Sequence, residues 1–363
     1  MSAGNPGKEQ RGGFAALARR RLVLPLAIFI ADLALYALCI SLAVTATQAP
    51  AKFALAILAG VFVSLLAIVG HDAVHKSFTS VPWLNRLIGT IAFLPALHPY
   101  SRWEHHHNRV HHRYTAQLGL DNAYPPMTVE DYARASAREK FLYRCRRSFA
   151  GQFTYYLLDL WLPKIFLPGR TERAGFHKRD WTDLVLVHAW LPVFVAGLTV
   201  SLHLATGRAW LAAFADAALF GFLVPFLVWN VFISMVTIVQ HTGPDVRWIM
   251  PTGRPSTAAE KMGGTVHVVF PNPVDWLFHR VMQHPAHHIH SGIPLYTLRQ
   301  AESDLASLLP DQPTIAKWTP LYHWRLTREC KLYDVKRRAW CDFSSQPVTA
   351  LNVQPIAAQV SQS

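Results

Sequence analysis

Histidine dominates the chemistry available to this chain, and it comes in three groups. The first is His71-Asp72-Ala73-Val74-His75. The second is His105-His106-His107-Asn108-Arg109-Val110-His111-His112. The third is His284-Pro285-Ala286-His287-His288-Ile289-His290. In a helix, residues four apart share a face, so His71 and His75 can grip one site. His107 lies one turn before His111, and His284 precedes His287 by three. The neighbours His111 and His112 point about 100° apart on a helix, which suits two adjacent metals with one ring to each. With His241, which ends an apolar run, His71, His75, His107, His111, His112, His284, His287 and His288 make nine imidazoles. A single zinc takes about four ligands, so the set suits two metals. Imidazole binds zinc, copper, iron and nickel alike. The register of the second group leaves His105 and His106 as alternatives to His107. The paired Glu-x-x-His motifs of the ferritin-like di-iron pattern are absent.

Apolar helices must position these rings. The chain has 363 residues, 51% hydrophobic and 16% charged, where soluble domains carry about 25% charge. Runs over residues 22–46, 53–70, 184–206 and 209–239 are each long enough to cross a bilayer, which takes ~20 residues. The expected fold is all-α and integral to the membrane: four transmembrane helices in two hairpins, with a helical cytosolic cap (71–183 and 240–300) holding the histidine-rich site. Residues 87–97 are too short to cross and read as a re-entrant or interfacial segment. A basic tail is expected over 1–21, a cytosolic segment over 301–342 and a disordered tail over 343–363.

The outward turns carry one base each, Lys52 and Arg208, while the termini and the cap carry the rest. The positive-inside rule then puts both termini in the cytoplasm and every histidine group on one side. The net charge of +13 fits an anionic lipid surface; no nucleic-acid partner is expected, because no binding motif appears and the charge sits beside apolar spans. The stretch from Arg134 to Arg147 holds six Arg or Lys residues and reads as a solvated or headgroup-facing helix face. Cys39, Cys145, Cys330 and Cys341 form no CxxC pair and read as reduced thiols.

With HxxxH, HxxxHH and HxxHH separated by paired spans, residues 20–300 resemble the integral-membrane fatty acid desaturases. Val239-Gln240-His241-Thr242, Gly264-Thr265-Val266-His267 and Ile293-Pro294-Leu295-Tyr296 are similar to segments of the acyl-lipid omega-6 and omega-3 branch. The resemblance implies a di-iron centre, two iron ions on the nine histidines, with O2 as co-substrate. It implies a cis double bond inserted into a membrane-associated acyl chain, on an acyl lipid or an acyl thioester. Electrons are expected from a separate donor, a ferredoxin or a cytochrome b5-like carrier, and a bacterial inner membrane is the expected location. A membrane di-iron hydroxylase or ketolase, acting on a fatty acyl chain, alkane or carotenoid, is the alternative. A metal transporter is disfavoured, because transporters place ligands near the bilayer midplane. Departures from the family are Lys76, where many relatives have another histidine, and Arg280, where asparagine is frequent.

Beyond the ligands, Asp72 is a candidate acceptor for a ligand N–H, and His279 a candidate neighbour of the metal site. His267 reads as structural, and His105, His106 and His290 as hydrogen-bonded or exposed. His188 and His203 read as packing or interfacial residues. Asp32 is an acid within a span and so a functional candidate by position.

Overall fold

A computed structural model describes residues 16–308 and 313–348. The outer parts of the two expected tails, 1–15 and 349–363, lie outside the described residues. The described chain is mainly helical and divides into two compact units, one formed by Arg21–His105 with Tyr156–Ile233, the other by His106–Tyr155 with the chain from Ser234 on and the residues before Arg21.

The first unit is the membrane unit. Helices α1 (Val23–Thr45) and α2 (Ala49–Val74) form one hairpin. Helix α3 (Pro82–Phe93) follows. Among the described residues four helices are long and apolar enough to cross a membrane: α1, α2, Lys178–Thr206 and Trp210–His241. The last two form the second hairpin, and Gly207 (φ 69°) makes its turn, a left-handed conformation that favours glycine. Residues of the fourth helix from Ser234 on belong to the second unit. Outward side chains such as Val193, Leu204 and Leu211 are exposed, as lipid-facing apolar residues should be.

Two helices run past the apolar runs that mark them. The second continues from Gly70 through the first histidine group to Val74, because backbone pairing needs no apolar side chain. It stops where Lys76 turns left-handed (φ 58°). The third begins at Lys178, six residues before the apolar run, where the Asp180 carboxylate accepts from the His177 N–H at 2.9 Å.

The turns of the two hairpins are tied together. Arg208 donates to the carbonyls of Val44 (2.8 Å), Thr45 (3.1 Å) and Ala46 (3.1 Å). Those groups are left unpaired by the end of α1. Asp216 accepts from both Lys52 and Arg208. The two bases that mark the outward turns in the sequence thus share one carboxylate. Behind them, Ala43, Ala56 and Phe220 pack as one apolar cluster, and Val44, Leu202 and Ala213 as another.

The second unit adds what helix periodicity does not reveal. Its described residues hold helix α4 (Ala137–Arg146) and five short strands. Met127–Thr128 (β1) pairs parallel with Leu332–Asp334 (β4), which pairs antiparallel with Ala339–Cys341 (β5). Val266–Val269 (β2) pairs parallel with Thr314–Lys317 (β3). The third histidine group opens helix α5 (His284–Ile289), with Pro285 in its first turn, where a missing N–H costs nothing. Helix α6 (Leu298–Leu308) follows.

Candidate metal centre

The second histidine group does not form an α-helix. Residues His105–His111 form a π-helix, in which the backbone pairs five residues apart. The His112 N–H donates to the His107 carbonyl at 2.8 Å. Such turns are rare and cluster at functional sites. The wider turn brings His107 beneath His112, and their Nε2 atoms are 3.1 Å apart. Spacing on an α-helix had paired His107 with His111; the π-turn changes that partner. Of the three consecutive histidines, His107 is the one whose ring reaches His112 and also stacks on His287, at 6.1 Å between ring centres.

Two sets of imidazoles result within the second unit. His111, His241, His284 and His288 offer nitrogens that all lie within 4.8 Å of one another, and all four are buried. His111 Nε2 lies 3.1 Å from His288 Nε2, and His284 Nε2 lies 2.8 Å from His241 Nε2. The other set is His107, His112 and His287, with His287 Nε2 at 3.0 Å from His112 Nε2. The neighbours His111 and His112 divide between the sets, as their angular separation on a helix requires. The two sets touch where His112 stacks on His288, 4.2 Å between ring centres.

Acceptors behind the rings fix their tautomers. The His111 Nδ1–H donates to Asp121 at 2.8 Å. The His241 Nδ1–H donates to the Gly264 carbonyl at 3.1 Å, a group that can only accept. Thr115 spends its proton on the His111 carbonyl at 2.9 Å, so its oxygen accepts from His288 Nδ1 at 3.1 Å. Each contact leaves the Nε2 lone pair facing inward, the arrangement that metal-bound histidines share. Lone pairs about 3 Å apart repel unless a cation lies among them, so this donor set fits a metal ion held by neutral imidazoles.

Electrostatics point the same way. Burial, then the neighbouring His284, His111 and His241, hold His288 well below the ordinary imidazole range, so it is neutral near pH 7. For Asp121, burial works against ionisation. The His111 ring and the Ala116 amide, at 2.7 Å, outweigh it and hold the carboxyl below its usual range.

The first histidine group lies in the membrane unit. His71 and His75 pack 4.9 Å apart, edge to face, at the end of α2. Asp72 is buried and accepts from His71 Nδ1 at 3.3 Å. His279 and Arg280 both adopt left-handed backbone (φ 49° and 59°), and the His279 ring belongs to neither set. Arg280 donates to the buried Asp275 at 3.2 Å. His188 donates to the Leu184 carbonyl and His203 to the Arg208 carbonyl, consistent with packing roles. His267 Nδ1 faces Glu302 at 3.4 Å. Asp32 is buried on α1.

Sequence spacing did not single out Asp121, Thr115, Gly264 or Glu302. Glu302 accepts from the Ala286 N–H at 2.9 Å and so braces α5 between His284 and His287. His98 was also missed. It is buried in the membrane unit among Phe93, Trp103, Tyr156 and Trp229. Its Nδ1–H donates to the Ala96 carbonyl at 2.7 Å, and its Nε2 accepts from the Tyr156 hydroxyl at 2.8 Å.

Comparison with known proteins places this geometry in context. The profile of the family described as Fatty acid desaturase matches residues 48–319. The sn-1 oleoyl-lipid 12-desaturase of Synechocystis sp. is 32% identical over 278 residues, which are 74% of this chain and 72% of that protein. The enzyme of the same name from Anabaena variabilis is 30% identical, covering 73% of this chain and 72% of its own length. The chloroplastic omega-6 fatty acid desaturase of Arabidopsis thaliana is 28% identical, covering 78% of this chain and 61% of that protein.

Proposed function

The chain belongs to the fatty acid desaturase family, and from that membership we propose that two iron ions, held by nine of its histidines, carry its reaction. It is a membrane oxidoreductase that desaturates acyl lipids. One iron takes His111, His241, His284 and His288. The other takes His107, His112 and His287, with His71 and His75 completing the set. The observation that carries this reading is the inward-facing Nε2 atoms of His111, His241 and His288, each fixed by an acceptor behind the ring. Asp72 does the same for His71.

The overall reaction takes two hydrogens from adjacent methylenes. With O2, two electrons and two protons it gives a cis double bond and two waters. Bound iron supplies the O2 chemistry needed to attack an unactivated methylene. The protein's own share is different. Asp121, Thr115 and the Gly264 carbonyl hold the rings as neutral donors, and burial of all four rings of the first set keeps water from competing. The acyl chain of a glycerolipid, oleoyl in character as in the cyanobacterial relatives, enters from the bilayer. A separate ferredoxin or cytochrome b5-like carrier supplies the electrons from the cytoplasm, and the basic character of the cytosolic segments in the sequence suits an acidic donor. The membrane is a bacterial inner membrane; that both termini are cytoplasmic is supported by the distribution of Lys and Arg. The relatives are named as desaturases, which favours double-bond formation over hydroxylation or ketone formation.

The test is expression in a bacterium that lacks desaturases, with fatty acids profiled by mass spectrometry and metal measured on the purified protein. New unsaturated acyl chains, about two irons per chain and loss of both in the His287→Ala, His288→Ala variant are expected. Zinc in place of iron, or hydroxylated chains, would overturn the assignment.

A further inference from the structure

Helix α4 turns its apolar residues outward. Phe141 is 65% exposed, Leu142 42%, and Phe149, just beyond the helix, 50%. Arg138, Phe141, Leu142 and Cys145 recur at i, i+3, i+4 and i+7, so they share one face. No residue of the helix is fully buried. The opposite face carries the anchors. The Tyr143 hydroxyl donates to the Lys331 carbonyl at 2.7 Å. The buried Arg147, one residue past the helix, donates to the Tyr124 carbonyl at 3.1 Å and lies 3.7 Å over the Tyr124 ring. Polar groups therefore fasten the helix inward while an apolar stripe, flanked by the exposed Arg138 and Arg146, faces out. A capping box on Ser136 and Glu139 starts the helix, but ten residues are too few to stay helical in water unaided.

We propose that α4 lies in the headgroup layer of an anionic bilayer, with Phe141, Leu142 and Cys145 against the acyl chains and the arginines on lipid phosphates. Arginines bordering an apolar stripe are the pattern of helices that lie in a membrane interface. Among the described residues four helices are long and apolar enough to cross a membrane, which brings the chain to a bilayer, and its net charge of +13 favours an anionic one. An acidic protein partner would satisfy the arginines but leave Phe141 and Leu142 facing water.

Cys145 reports on this face directly. It is exposed, whereas Cys39, Cys330 and Cys341 are buried, so a thiol-reactive, polarity-sensitive fluorophore labels it in the full-length protein. In nanodiscs containing phosphatidylglycerol, we expect blue-shifted emission and at least roughly twofold quenching by lipids brominated on the acyl chain. The Phe141→Glu, Leu142→Glu variant should return the emission to that of a probe in water, with iron content unchanged. In the Arg138→Gln, Arg146→Gln variant, phosphatidylglycerol should lose its advantage over phosphatidylcholine. Water-like, unquenched emission from the unaltered protein in both lipids would overturn the proposal. So would shielding that appears only when an acidic ferredoxin is added, which would make the face a protein-docking surface.

Discussion

His107 and His112 are five residues apart, yet their Nε2 atoms lie 3.1 Å from each other because the His112 N–H reaches back to the His107 carbonyl. The extra residue in the turn is what pairs them. Inserting an alanine after Asn108 places the two histidines six residues apart, a spacing that neither an α- nor a π-turn closes, and should swing His107 away. We expect iron to fall from about two to about one per chain, with helical content by circular dichroism retained. Two irons in the insertion variant would show that the π-turn is dispensable.

Asp121 should matter for the centre as well as for its own loop. Asp121→Asn removes the charge that favours the His111 Nδ1–H tautomer and sets an amide NH2 against one of the buried N–H groups that the carboxylate now accepts from. Losing such an acceptor typically costs 10–100-fold in metal affinity or activity. Iron retention against a graded chelator, measured beside the melting temperature of the iron-free protein, checks this: both should fall. Equal retention by both proteins would remove Asp121 from the site.

His98 sets a pH dependence of stability. Burial pushes its pKa down to about 3, only partly offset by the Ala96 carbonyl. An unfolded histidine takes up a proton near pH 6.5, so between that value and about 3 the unfolded chain binds a proton that the folded chain does not. Stability is therefore complete above pH 6.5 and declines as the pH falls. His98→Gln retains a donor for Ala96 and an acceptor for Tyr156 but does not titrate. Between pH 6 and 5 the unaltered protein should lose up to ~1.4 kcal/mol per pH unit more than the variant, read from chemical unfolding at each pH. Parallel curves would exclude His98 as the group responsible.

Gly264 approaches another chain segment too closely for a side chain. A Cβ there would come within 2.6 Å of the Ala116 Cβ, and the Gly264 carbonyl is the acceptor for His241. Gly264→Ala should force the two segments apart, at about 1–3 kcal/mol, and loosen His241 at the same time. Thermal unfolding with and without iron separates the effects. The variant should gain less stability from the metal than the unaltered protein does.

Much of the architecture was legible because it is written in side chains. The four spans announce themselves as apolar runs, and the ring-bearing positions as histidines. What escaped is held by the backbone or by isolated residues. The π-turn depends on a five-residue hydrogen bond, and histidine spacing equally fits an α-helix. Asp121 is a single acid in an irregular loop, ten residues from the ring it supports. The Gly264 carbonyl has no side chain to betray it. His98 stands alone, without the repeated spacing that marked the other groups. The β-strands are two to four residues long, too short for an alternating pattern.

The rings of one set come from distant parts of the chain, with His111 and His288 separated by 177 residues. A ribosome adding 5–20 residues per second needs roughly 10–35 s to cover that distance. During that interval the second histidine group exists without its partners, while both helices of the second hairpin are still to be inserted. On the proposed di-iron reading, metallation has to wait for the third histidine group. A chain stalled or cleaved before residue 284 has no route to a complete centre, so iron loading would record that synthesis has passed both hairpins and that group.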